Sequence, residues 1–157
     1  MTKMTRSTWD EVWLEVADAV SKRSRCTRAQ VAAVIVDENR RICSTGYNGP
    51  AAKYPAYGDC SDWCERAQGK TGLGADYEGC PSIHAEANAL LYVDRSAVAN
   101  GTIYITCAPC MQCAKLISNS GLSRVVTRVR KADLHRNPEA VLEYLRKCNI
   151  SVQVIKE

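Results

Sequence analysis

The sequence predicts an α/β sandwich, a mixed five-stranded sheet flanked by helices and parallel in its second half. Three observations carry that expectation. Two β-branched runs near the start are joined by a short polar turn, apolar helix and strand patterns alternate from residue 83 onward, and the crossovers in that second half pass through helices. Helical crossovers favour parallel pairing, whereas a tight turn makes an antiparallel one.

The first helix starts at a capping box, Thr8 with Glu11 three residues on, and gathers Trp9, Val12, Trp13, Val16, Ala17 and Val20 on one apolar face. QVAAVIVD (30–37) and RRICSTGYNG (40–49) read as a hairpin whose first strand is buried on both faces. Residues 49–81 then become rich in Gly, Pro, Ala, Asp and Cys without periodicity. An irregular Cys-rich insertion of that length stays ordered in a compact domain only if something fastens it. Regular structure resumes with an apolar helix over 83–93, a strand at 102–106, a helix over 110–119 closed by Gly121, and a strand RVVTRV at 124–129. Asn137-Pro138, a cap followed by a first-turn proline, opens a helix over 138–148, and ISVQVI (150–155) is the last strand.

At 157 residues the chain suits one domain, 1–157. With 46% hydrophobic and 24% charged residues it is no disordered chain. The longest apolar run, VAAVIV at 31–36, falls far short of a membrane helix, and the opening MTKMTRSTWDEVW has no secretory apolar stretch, so a cytoplasmic location without membrane partners is expected. The net charge of +4 is densest at RVVTRVRK (124–131); it suits a solvated face or a phosphorylated small molecule better than long nucleic acid. Nine cysteines, an odd number in a chain with no export signal, point to metal ligation or catalysis rather than a disulfide framework.

PSIHAEANALL (81–91) places His84 and Glu86 two apart, where residues inside a helix face away from each other. Such spacing argues for separate jobs. TCAPCMQCAKLI (106–117) carries Cys110 and Cys113 just after Pro109, on one face of a first helical turn whose N-terminus favours thiolate. Alone, a CxxC also suits a redox pair, half a zinc knuckle or two buried thiols. His84 with Cys110 and Cys113 makes three ligands, which leaves a tetrahedral zinc one position open for water, as in catalytic sites. Glu86 can then serve as the proton carrier beside the metal rather than as a ligand.

H-x-E together with P-C-x-x-C is the pattern of zinc nucleobase deaminases. HAE (84–86) and PCMQC (109–113) match it. With VAAVIVDENRRICSTGYNG and IHAEANALLY, the chain over roughly 20–127 closely resembles deoxycytidylate (dCMP) deaminases, including phage-encoded ones. The resemblance implies a three-layer α/β/α cytidine deaminase-like fold. By matching position it implies zinc on His84, Cys110 and Cys113, proton transfer by Glu86, and a substrate contact from Asn48 in GYNG, whose glycines suit a tight turn. Ala85 and Tyr54 complete the substrate-binding candidates. It further implies conversion of dCMP to dUMP and ammonia in the cytoplasm (the host's, if phage-encoded), a homo-oligomer, a hexamer being favoured, and dCTP and dTTP as effectors.

Cys26, Cys60, Cys64 and Cys80 cluster in sequence around the insertion, and a second, structural zinc on these four thiolates would fasten it. The alternative is four ordinary buried thiols. Some deoxycytidylate deaminases resemble this, with a structural-zinc ligand at the position of Cys26. Cys43, Cys107 and Cys148 read as core filling. Many family members place a stacking tyrosine where this chain has Thr127, leaving Tyr54, Tyr57 or Tyr104 to take over, or Arg128 and Arg130 to favour a different cytosine nucleotide. The rivals are deamination of a nucleoside, base or tRNA adenosine and, outside enzymology, a zinc-stabilised binding module.

Overall fold

The computed structural model describes residues 5–70 and 79–156; within the insertion, 71–78 lie outside the described residues. Helix α1 (Trp9–Ser21) opens on the expected capping box, with the Thr8 and Glu11 backbone N–H groups each donating to the other residue's side chain at 2.7 and 3.2 Å. Strands β1 (Ala32–Val36) and β2 (Ile42–Tyr47) form the antiparallel hairpin. Two elements are additions to the sequence reading: Gly49–Pro50 (β3) pairs with Ser82–Ile83 (β4) and closes the base of the insertion. That pairing explains why helix α2 (Ala85–Leu91) starts two residues later than its apolar pattern suggests.

A short helix, α3 (Arg95–Val98), leads to β5 (Thr102–Ile105), then α4 (Met111–Ser118), β6 (Arg124–Thr127), a 3-10 turn over Lys131–Arg136, α5 (Pro138–Lys147) and β7 (Ser151–Val154). The sheet runs β2-β1-β5-β6-β7, antiparallel across its first three strands and parallel from β5 to β7. Every residue of β1 is buried, as a strand covered on both faces requires. Ala33, Ile35, Ile103, Ile105 and Val125 meet α2, α4 and α5 on one face. Val34, Val36, Tyr104 and Val126 meet Leu14 and Ala17 of α1 on the other. The result is three layers, α/β/α.

Gly46 is not a turn residue, contrary to the reading of GYNG. It sits inside β2, where a Cβ would overlap the Ala85 carbonyl oxygen and the Ala89 nitrogen, so the glycine lets α2 press its backbone against the strand. Ser44 donates its hydroxyl to the Ala89 carbonyl at 2.7 Å and the Asn88 amide donates to the Tyr47 carbonyl at 2.9 Å, stitching the same contact. Of the three cysteines read as core filling, Cys107 is buried, but Cys43 is half-buried and Cys148 exposed. Cys148 caps α5 just past the last turn, after Val141, Leu142 and Leu145 have completed its buried face. No helix among the described residues is long and apolar enough to cross a membrane.

Candidate active site and metal centre

His84 and Cys110 occupy the same structural position on two helices. Each is an N-cap with extended backbone, φ −67° and ψ 151° for His84 on α2, φ −80° and ψ 167° for Cys110 on α4. An extended cap releases its side chain from the helical direction, so His84 and Glu86, one turn-start apart, turn toward the same cavity. His84 Nδ1 lies 3.5 Å from Cys110 Sγ and 3.4 Å from Cys113 Sγ. Ligands at zinc bond lengths and a tetrahedral angle stand about 3.6 Å apart, so this donor set fits zinc. Among the described residues these three form the one group of three or more His, Cys, Asp or Glu ligand atoms lying within 4.8 Å of one another.

The hydrogen bond from Cys113 holds Cys110 down at about 3, and the α4 N-terminus adds to this through the Cys113 backbone N–H, 3.5 Å from Cys110 Sγ. Cys113, donating that bond and buried, is raised. His84 is raised by its hydrogen bond with Cys110, against burial, which lowers it. Glu86 is 3% exposed, and burial raises its carboxyl above the usual range. It interacts with Cys113 and stands outside the three-residue cluster.

A cavity of about 220 Å³, lined by His84 of this cluster and by Glu86, opens at the carboxyl ends of β5 and β6. His84, Ala85, Glu86, Asn48 and Cys107 line its floor. Burial and the nearby Glu86 charge push the Cys107 thiol up to about 12. Asn48 reaches the cavity while bonded elsewhere: its side chain accepts from Val31 N at 2.9 Å and donates to the Ala29 carbonyl at 2.8 Å, holding the chain that enters β1. Tyr54 is not brought to the cavity; it packs on Trp63 with ring centroids 5.7 Å apart. Tyr57 is 65% exposed, and Tyr104 points to the α1 face with its hydroxyl 3.0 Å from Asp10, so neither takes the stacking place. Thr127 is fully buried and donates to the Cys107 carbonyl at 2.7 Å, beneath the cavity rather than in it.

Cys26, Cys60, Cys64 and Cys80 all line this same cavity. They come as two interacting pairs, Cys26 with Cys60 and Cys64 with Cys80, rather than as one tight group of four. Of the two arginines singled out, Arg130 lines the cavity, whereas Arg128 bonds Asp18 of α1 at 2.7 Å, continuing the α1-facing parity of Arg124 and Val126. The sequence reading missed Arg28, Asp133, His135 and Arg136 in the wall. The last three ride on the 3-10 turn, which has no periodicity to read; the acid among basic residues in RKADLHR was the available signal.

An α/β/α sandwich with His, Cys and Cys at two helix starts and a separate buried carboxylate is the arrangement of the zinc deaminases. Residues 7–129 match the cytidine and deoxycytidylate deaminase zinc-binding region, and the chain belongs to that family. It is 43% identical over 127 residues to the deoxycytidylate deaminase of Mycobacterium phage D29, an alignment covering 78% of this chain and 96% of the relative. Against the Saccharomyces cerevisiae deoxycytidylate deaminase it is 32% identical over 155 residues, 98% of this chain but 46% of the yeast protein, so it spans under half of that relative. In fold it is similar to the dCMP deaminase of cyanophage S-TIM5 in complex with dCMP and dUMP, with a TM-score of 0.71, 24% identity and coverage of 97% and 100% of the two chains.

Proposed function

We propose that this chain hydrolyses deoxycytidylate to dUMP and ammonia. One observation carries the reading: Glu86, buried and outside the His84, Cys110 and Cys113 cluster, lines a small-molecule cavity together with His84. The names of the phage and yeast relatives support it. His84 through Nδ1 and the two cysteine sulfurs would hold zinc, which when bound would supply a Lewis acid that makes water nucleophilic at neutral pH. The Glu86 carboxylate takes a proton from the attacking water and delivers it to ring N3, then takes the proton of the new C4 hydroxyl and passes it to the amine as the C4–N bond breaks, leaving a C4 carbonyl and ammonia. Its burial keeps bulk water away from that relay. Ala85 and Asn48 border the substrate.

Cys26, Cys60, Cys64 and Cys80 hold a second zinc in this proposal, drawn together from the two pairs they already form. The whole chain acts as one domain, in the cytoplasm (the host's, if phage-encoded), and the dCTP and dTTP effectors of the resemblance belong to the same proposal. A homo-oligomer, a hexamer in this reading, buries the exposed Leu91 and Leu116, which line one surface groove. The test is a panel of dCMP, deoxycytidine, cytidine, dCTP and a tRNA anticodon stem-loop, with ammonia release measured on zinc-loaded protein. Highest kcat/KM for dCMP is expected; preference for any other member overturns the reading.

A further inference from the structure

Arg28, Arg66, Arg130 and Arg136 line the cavity against the buried acids Glu86 and Asp133. Asp133 is 1% exposed and spends both its oxygens. Oδ2 accepts from the backbone nitrogens of Arg130 at 2.8 Å and Ala108 at 3.2 Å. Oδ1 accepts from the guanidiniums of Arg136 at 2.5 Å and Arg130 at 3.4 Å. Arg136 donates to the Ala108 carbonyl as well, at 3.3 Å. Ala108 stands two residues before Cys110, so one carboxylate ties two guanidiniums to the turn that presents a metal ligand.

The charge does not cancel, since two cations share one anion. Among the described residues the buried Nε of Arg130 has no hydrogen-bond partner, a donor in want of an acceptor. Both arginines line the same cavity as Cys107, His84 and Glu86. Guanidiniums pre-set on a buried acid lose little freedom when they bind an oxyanion, and arginine suits phosphate best.

We propose that Asp133 is a positioning residue for nucleotide recognition: it fixes Arg130 and Arg136 in register with the metal cluster, and the pair takes the phosphate of a nucleoside monophosphate. This rests on the nucleotide reading above. The clamp gives a phosphorylated ligand its advantage over the bare nucleoside, and inorganic phosphate should compete for it.

Calorimetric binding of dUMP and of deoxyuridine to the zinc-loaded protein tests it without requiring turnover. Arg130→Gln should weaken dUMP relative to deoxyuridine about 30-fold, the usual worth of a charge-assisted bond, and should abolish competition by inorganic phosphate. Asp133→Asn should shift the same ratio about tenfold, and the double variant should lose less than the sum of the two single losses, because the aspartate acts through the arginines. An unchanged ratio in Arg130→Gln overturns the clamp whatever becomes of Asp133→Asn; additive losses in the double variant overturn the positioning role. If wild type binds dUMP with this pattern yet releases no ammonia from dCMP, the deamination reading fails while the clamp stands.

Discussion

Glu86 and His84 face one cavity only because His84 is a cap and not yet helix. That detail was legible in outline, since a two-residue offset at a helix start already argues against both serving one metal. Asn48 was less legible. Its sequence context suggested ligand contact, but its side chain is engaged with Ala29 and Val31. Asn48→Ala should therefore lower unfolding stability by about 1–3 kcal/mol in denaturant titration, because it strips partners from the backbone entering β1. A variant as stable as wild type but impaired in substrate binding would show that the amide serves the ligand alone. Tyr54 was misread because a tyrosine in an aperiodic loop carries no sign of which neighbour it meets; Trp63 took it.

At the scale of elements, α2 and α4 deliver their caps to one point because each is seated on the sheet. Gly46 makes the α2 seat, and the alanine in Gly46→Ala would meet helix backbone, which cannot swing aside as a side chain does. Stability should fall by about 1–3 kcal/mol, with a matching loss of zinc affinity as His84 is displaced; thermal melts with and without zinc read both. On the opposite face α1 is anchored by Asp10, whose carboxylate receives two bonds of 2.7 Å from Arg124. That bonding, against the cost of burial and with help from Tyr104, holds Asp10 below the usual carboxylate range. A depressed folded value adds stability above the unfolded pKa of about 3.9, lost as pH falls through the folded one. Between about pH 4 and pH 2.5, wild type should lose more melting temperature than Asp10→Asn. Equal slopes would show the ion pair to be idle. The hairpin, the parallel half and the Asn137-Pro138 start were readable from period and caps, whereas β3, β4 and the Lys131–Arg136 turn were not. Each of the latter is two to six residues long, too short to show a period.

For the molecule as a whole, the metal cluster joins α2 and α4 at one end of the sheet, so zinc binding and stability are linked. Zinc at about a thousandfold over its Kd adds about 4 kcal/mol. Chelation should lower Tm and abolish ammonia release together, and added zinc should restore both; a chelated protein of unchanged Tm would separate the metal from the fold. Fold class was legible because alternation, crossover length and caps agree with one another over most of the chain. The cavity wall was not, since it is assembled from residues 26 to 136 and no local pattern records which loops meet. The most direct test of the account is a paired measurement on Glu86→Gln, zinc content by metal analysis and ammonia release from dCMP. Wild-type zinc content with turnover reduced about 10²–10⁴-fold is the predicted result. Full turnover, or loss of the metal along with the carboxylate, would contradict it.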